Sequence, residues 1–372
     1  MARGVGARML ETDAGLLAGL GCSERGPFLV VDTLDESPWK RHRFAILGQT
    51  LTLEATGDSG ARFCTGRYDL ALGRGEACPL CASLANDGRQ QCFDCFQATG
   101  FNPAFYNARG VSPQQRARNQ RPHRVYLAWF GPGSVKVGMC LAARGLSRLL
   151  EQGARLAVLL HTFDDADRAR QLEERIAREL GVPEAVRSAR KRHLLGATAG
   201  WDDARWDDAR RELREQAALA GALCPDGAGD RSILELDAYY GPPDLLARDC
   251  VDLSDTRPWA ISGRCIGMVG DVLVSEAEGV RYMLSLGLAV GCRIRLRSGQ
   301  RENRVGGQLG FGFWAAGFRP LRSESRAPGR ACAKTLRLEQ PIDGERYVGK
   351  VFRGERLAAA KNAHAAIAPC AG

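Results

Sequence analysis

The sequence predicts an α+β protein: a small antiparallel sheet with flanking helices, preceded by a cysteine-rich module and followed by a small β-rich domain. Three observations predict it. Five cysteines fall between Cys64 and Cys95, in a stretch with several glycines and little apolar periodicity. From His123 onward, two apolar runs across a Gly-Pro loop are followed by a helix pattern, a strand pattern and a second helix pattern. From near Ala260, short alternating runs return.

Taken in order, residues 1–62 read as a β-rich segment of short strands and turns. Arg43–Leu47 and Thr50–Glu54 are runs separated by Gly48-Gln49, and the second alternates polar with apolar. Residues 63–107 form the cysteine-rich module, and residues 108–121 a basic linker with Arg116, Arg118 and Arg121. The α+β domain is expected over 122–196. Its hairpin joins Arg124–Phe130 to Val135–Met139 through Gly131-Pro132-Gly133-Ser134. A helix is expected over Leu146–Gln152, a strand over Arg155–Leu160 and a second helix over Asp164–Leu180. In that helix Leu172, Ile176 and Leu180 recur every four residues, and Gly181 with Pro183 ends it. Residues 197–299 read as a charged helix plus the small β domain. The helix contains an immediate repeat, Trp201-Asp202-Asp203-Ala204-Arg205 and Trp206-Asp207-Asp208-Ala209-Arg210, too short to be a solenoid unit. The Arg/Gly/Ala-rich tail over 300–372 is expected to be partly disordered.

A chain of 372 residues has room for two or three domains, and a hydrophobic fraction of 45% excludes wholesale disorder. Lys and Arg outnumber Asp and Glu, 52 to 43, for a formal charge of +9. That balance favours a polyanionic partner such as nucleic acid. No apolar run is long enough to span a membrane, and Glu11 and Asp13 interrupt the start, which makes a poor signal peptide. The expectation is a cytoplasmic protein without membrane attachment. Thirteen cysteines then read as thiols and metal ligands rather than as a disulfide framework.

Cys78-x2-Cys81 and Cys92-x2-Cys95, ten residues apart, carry the pattern of a zinc-ribbon-like site. Each pair can chelate from one tight turn, and four thiolates satisfy the tetrahedral preference of Zn²⁺. Cys64 is a fifth candidate for four positions. Cys78, Cys92 and Cys95 supply three, and Cys81 and Cys64 contend for the fourth. A filled thiolate shell leaves no position for substrate, so the zinc is expected to be structural.

Within the α+β domain, Arg124-Val125-Tyr126, Lys136-Val137-Gly138, Arg148 and Leu172-Glu173 follow one another in an order that resembles the motifs of the GIY-YIG nuclease superfamily. The resemblance covers about Pro122 to Val182. It implies a metal-dependent phosphodiesterase in which Tyr126 helps activate water, Arg148 steadies phosphate and Glu173 holds Mg²⁺ or Mn²⁺. Arg124 stands in place of the first glycine, and Lys136 in place of a tyrosine. Lysine there could assist proton transfer or bind phosphate. His161, at the end of the expected strand, is a candidate replacement for the asparagine of the usual set.

A second resemblance covers Leu47 to Leu195. The cysteine segment, Gly100-Phe101-Asn102-Pro103-Ala104-Phe105, Pro122-His123-Arg124-Val125-Tyr126-Leu127-Ala128 and Glu151-Gln152-Gly153-Ala154 resemble a bacterial family filed as domain of unknown function 2797. That likeness implies that the cysteine module and the hairpin domain belong together. Three functional readings follow: a metal-dependent endonuclease of GIY-YIG type, a zinc-dependent DNA- or RNA-binding protein without cleavage, and an enzyme using the same scaffold on a small molecule. Oligomeric state is not readable from the sequence.

Overall fold

Strands dominate the described residues, which in this computed structural model are 11–34, 39–57, 61–70, 74–85, 88–101, 111–225, 231–242, 244–245, 250–256 and 258–298. The tail expected over 300–372, and Asn102–Phe105 of the second resemblance, lie outside the described residues.

Four strands open the chain: β1 (Glu11–Ser23), β2 (Gly26–Thr33), β3 (Lys40–Ala45) and β4 (Thr50–Ala55). The cysteine segment holds the short strands β5 (Arg62–Phe63), β6 (Arg67–Asp69), β7 (Arg74–Glu76) and β8 (Ser83–Leu84), then helix α1 (Phe93–Thr99). Helix α2 (Pro113–Asn119) leads into the hairpin of β9 (His123–Trp129) and β10 (Val135–Leu141). Next come α3 (Ser147–Gln152), β11 (Leu156–Phe163), α4 (Ala166–Leu180), α5 (Ser188–Ala197), α6 (Asp203–Gly221) and β12 (Leu234–Glu235). The last strands are β13 (Cys250–Asp252), β14 (Ala260–Val269), β15 (Val272–Ala277), β16 (Val280–Ser285) and β17 (Arg293–Ser298).

The first and last groups of strands form one nine-stranded sheet, ordered β13-β16-β15-β14-β4-β17-β1-β2-β3. β13 runs parallel to β16, and the other pairings are antiparallel. From sequence, residues 1–62 and 197–299 read as separate units. Alternation reveals that a row of side chains is buried, but it does not name the strand alongside. Here β4 lies between β14 and β17, with Thr52 opposite both Ser262 and Arg297. β3 pairs with β2 and not with β4, although only a short Gly48-Gln49 turn region separates them. The sheet curls until β2 meets β14, and encloses a core that includes Leu17, Leu29, Leu53, Met268, Leu273 and Ile294.

The central unit is a four-stranded sheet, ordered β10-β9-β11-β12. Its two faces bury different rows of β9, as strand alternation requires. Val125, Leu127 and Trp129 pack with Leu172 and Ile176 of α4 and with Ala209, Leu213 and Ala217 of α6. Tyr126, Ala128 and Phe130 pack with Leu149 and Leu150 of α3 and with Val269, Val272 and Val274 of the large sheet. The charged helix therefore belongs with the central sheet. Its alanine and leucine stripe is buried there, each buried leucine being worth about 2 kcal/mol.

Local rules explain the helix ends. Asp165 caps α4 by accepting the Arg168 N–H at 2.8 Å, and Gly181 takes the left-handed position after Leu180. The region read as a basic linker contains α2. Ser112 accepts the Gln115 N–H at 3.1 Å, Pro113 opens the first turn, and Gln115 is fully buried. No helix of the described residues is long and apolar enough to cross a membrane.

Candidate functional site

Four of the five candidate cysteines converge. The sulfurs of Cys64, Cys78, Cys92 and Cys95 all lie within 4.8 Å of one another, and those of Cys78 and Cys92 are 4.0 Å apart. A tetrahedral Zn²⁺ with bonds of about 2.3 Å needs sulfur–sulfur edges of roughly 3.8 Å. The group is thus within a small adjustment of a metal shell. Cys81 lies outside it. Its backbone adopts φ +48°, its N–H donates to the Cys78 carbonyl at 3.2 Å, and its thiol turns to the same carbonyl.

Short backbone links bring the four together. Cys64 follows β5, and its N–H donates to the Ala82 carbonyl, which ties it to the loop after Cys78. Cys92 and Cys95 lie at the start of α1, one turn apart. Gly66, at φ +84°, passes so close to the Glu76 carbonyl that a Cβ would sit 1.9 Å from it, so only glycine fits. The N–H groups of Cys92 and Gly66 donate to Cys64 Sγ at 3.2 and 3.4 Å. A hydrogen bond from the Cys95 thiol, acting against burial and joined by those backbone donors, pulls the Cys64 thiol down to about 5. The same contact pushes Cys95 far above the ordinary thiol range. Four clustered sulfurs, three of them buried and that of Cys92 on a partly buried residue, are the donor chemistry of a soft or borderline dication. The group could hold a metal such as zinc.

The module is anchored to the large sheet. Arg41 of β3 forms a paired salt bridge with buried Asp32 of β2, at 2.8 Å for both contacts, and donates to the Thr65 carbonyl at 2.6 Å. The Phe63 N–H donates to the Gly291 carbonyl at 2.8 Å.

The residues of the first resemblance sit at one edge of the central sheet. Tyr126 and Gly138 are cross-strand partners on β9 and β10. A Cβ at position 138 would stand 2.6 Å from Tyr126 Oη, so the missing side chain is what lets the phenol lie flat. Gln152 Nε2 donates to that oxygen at 2.7 Å, and Tyr126 is 1% exposed. Burial pushes the phenol up to about 12.

Lys136, 7% exposed, donates from Nζ to the Glu184 carbonyl at 3.1 Å and lies 5.9 Å from the centre of the Tyr126 ring. Burial, then the Arg148 charge, brings its ammonium down to about 8 against the pull of Glu173 and Glu184. Glu173 is also buried, and burial pushes its carboxyl up against the pull of Arg170. Arg170 donates at 2.8 Å to Glu173 and at 2.8 Å to Glu184, so one guanidinium bridges both acids. Half-buried Arg148 acts electrostatically on both Tyr126 and Lys136. The structure therefore brings Tyr126, Lys136, Arg148 and Glu173 into one electrostatic neighbourhood. His161 instead sets its ring against Phe163, with centroids 4.4 Å apart.

Three members of this neighbourhood were not singled out as site residues from the sequence: Gln152, Arg170 and Glu184. Helical spacing carried a signal for two of them. Gln152 is four residues after Arg148 on α3, and Arg170 is three before Glu173 on α4. Glu184 is placed by the chain turn after Gly181, which runs back along β10 so that the Val137 N–H reaches the Pro183 carbonyl at 3.0 Å. No sequence spacing announces that return.

Residues 92–193 match a family described as a protein of unknown function (DUF2797), a minor part of the chain. The match takes in Cys92, Cys95, Tyr126, Lys136, Arg148 and Glu173, while Cys64 and Cys78 precede it. The family description names no activity. No curated protein and no solved structure matches the chain.

Proposed function

We propose that the chain is a zinc-stabilised protein that binds nucleic acid without cleaving it. The observation that carries the reading is the contrast between its two candidate centres. Cys64, Cys78, Cys92 and Cys95 offer a closed set of four sulfur donors. Zn²⁺ bound there would cross-link the turn at Cys64, the loop at Cys78 and the start of α1, with no coordination position left for substrate. At the other centre, the acid needed for a catalytic ion is buried and engaged by Arg170. Tyr126 and Lys136 are buried with it. The charge of +9 supports a polyanionic partner. So does β3, one edge strand of the large sheet, which carries exposed Lys40 and Arg43 and holds the cysteine module through Arg41.

A second reading, a GIY-YIG-type phosphodiesterase, is favoured by the convergence of Tyr126, Lys136, Arg148 and Glu173. An ammonium lowered to about 8 can exchange a proton near neutral pH. In that reading Glu173 must leave Arg170 to hold Mg²⁺ or Mn²⁺.

The test is to incubate zinc-loaded protein with labelled single- and double-stranded DNA and RNA, with and without Mg²⁺ or Mn²⁺, beside Glu173→Gln. The expected result is binding that weakens steeply with salt, no cleavage, and no effect of the substitution on affinity. Cleavage requiring both the divalent ion and Glu173 would replace this proposal with the second reading. Failure to bind any of the four at low salt would overturn the nucleic-acid assignment altogether.

A further inference from the structure

The tandem Trp-Asp-Asp-Ala-Arg repeat acquires a purpose in three dimensions. Trp201 precedes the Asp202 cap of α6, and Trp206 follows in the first turns of that helix. Both rings pack on fully buried Trp129 of β9. Centroid separations are 6.0 Å for Trp129 with Trp201, 5.8 Å for Trp129 with Trp206 and 5.5 Å for Trp201 with Trp206. The five-residue period places two indoles over a third, where a solenoid repeat would have built a new layer.

A cleft of about 440 Å³ opens beside this trio, lined by Trp129, Pro132, Trp201, Arg205, Asp208 and Glu212 among others. That is within the size range of small-molecule sites, roughly 300–1,000 Å³. Its charges are unequal in kind. Asp208 is ion-paired with Arg211 at 2.7 Å. Glu212 is held differently. Trp129 Nε1 donates to one of its oxygens at 2.8 Å and the Gly133 N–H to the other at 3.1 Å. Both donors are neutral, and among the described residues no cationic side chain forms an ion pair with Glu212. The result is a carboxylate fixed in position beside indole rings, with no described cation within ion-pairing distance and Arg205 the single cationic side chain lining the cleft.

We infer that this cleft binds an organic cation, an alkylammonium head held between the Glu212 carboxylate and the Trp201 indole. A positive head group gains from the carboxylate and from the electron-rich ring face together, and slim alkyl groups suit walls of Trp and Pro. Phosphate, whether sugar-linked in a nucleotide or free, is disfavoured by the same carboxylate, so this site stands apart from the nucleic-acid reading.

The experiment is a titration of the full, zinc-loaded chain, ¹⁵N-labelled, followed through the indole N–H resonances of Trp129 and Trp201, which Trp201→Phe helps assign. The probes are choline, butylammonium and the neutral carbon isostere of choline. Saturable shifts with at least one cation are expected, with the neutral isostere at least about tenfold weaker. Glu212→Gln should weaken the cations by about tenfold or more. Preference for choline or for butylammonium supports the inference either way and fixes the head group as quaternary or primary. Equal binding of the neutral isostere would overturn it, and that comparison needs no variant to fold. So would the absence of saturable shifts in the unsubstituted protein, or cation binding seen only in Arg205→Ala, which would make the cleft the seat of Arg205 itself.

Discussion

Replacing Lys136 with Met should make the protein more stable at neutral pH. The substitution removes a charge from a position 7% exposed while keeping the bulk of the stem. Burial, followed by Arg148, lowers the ammonium from 10.5 to about 8. Between those values the unfolded chain holds a proton that the folded protein has released, so stability rises with pH through that window. Below about pH 8 the whole penalty is present. At about 1.36 kcal/mol per pH unit the interval amounts to on the order of 3 kcal/mol. Methionine forfeits the hydrogen bond to the Glu184 carbonyl, about 1 kcal/mol. A net gain of about 2 kcal/mol is expected at pH 7, shrinking as the pH approaches the ordinary lysine range. Urea unfolding of both zinc-loaded proteins across this pH range measures it. Tyr126 and the four clustered cysteines are common to both, so their titration drops out of the difference to first order. Glu173 and Cys140 instead feel the Lys136 charge, and repeating the comparison in a Glu173→Gln background removes the larger of those two couplings. A variant less stable at pH 7, or a difference independent of pH, would refute the reasoning. A confirmed gain would mean that Lys136 is retained against stability, as groups kept for a task are.

Serine at Cys64, Cys78, Cys92 or Cys95 should lower bound zinc and the unfolding temperature, while Cys81→Ser leaves both nearly unchanged; metal analysis and thermal unfolding of the five variants decide it. Gly138→Ala brings a methyl within 2.6 Å of Tyr126 Oη and should destabilise by about 1–3 kcal/mol, measured by denaturant midpoint; a neutral result would mean that the phenol can move aside freely. Asp237→Asn leaves Arg155, 6% exposed and donating also to Thr198 at 2.7 Å, without its carboxylate. Because Asp237 is itself well exposed, the loss should be about 1–2 kcal/mol rather than that of a fully buried pair, again read from denaturant midpoints.

What was legible in the sequence was what neighbours along the chain decide. The four-residue recurrence of Leu172, Ile176 and Leu180, an acid at the start and Gly181 at the end place α4 almost to the residue. The Gly-Pro loop places the β9–β10 hairpin, and the order strand, strand, helix, strand, helix is the order found. The linker expected over 108–121 was a missed local signal, since Ser112-Pro113 is a capping serine followed by proline at the first helical position. The large sheet was illegible for a different reason. Leu51 and Leu53 of β4 show their alternation plainly, yet their partners on β14 and β17 lie some two hundred residues away and leave no mark on it.

The same division runs through the candidate sites and bears on how each should be read. Spacing leaves Cys81 and Cys64 contending for the fourth position beside Cys78, Cys92 and Cys95. The second Cys-x2-Cys pair survives because both cysteines lie on the first turn of α1, whereas in the first the positive φ at Cys81 directs its sulfur away from the group. Cys64 takes the vacated corner because β5 pairs with β8 and because glycine at 66 allows the chain to pass Glu76. Motif order brought Tyr126, Lys136, Arg148 and Glu173 to attention, but their chemical state depends on Arg170, Gln152 and Glu184, none of which belongs to the nuclease-like motifs. An acid bridged by a guanidinium and closed from solvent is a different reagent from the same acid in open water. The functional choice between binding and cleavage therefore turns on whether Arg170 releases Glu173 when a polyanion and a divalent ion arrive together. The Glu173→Gln comparison interrogates that contact directly, whereas the motif residues alone argue equally for either outcome.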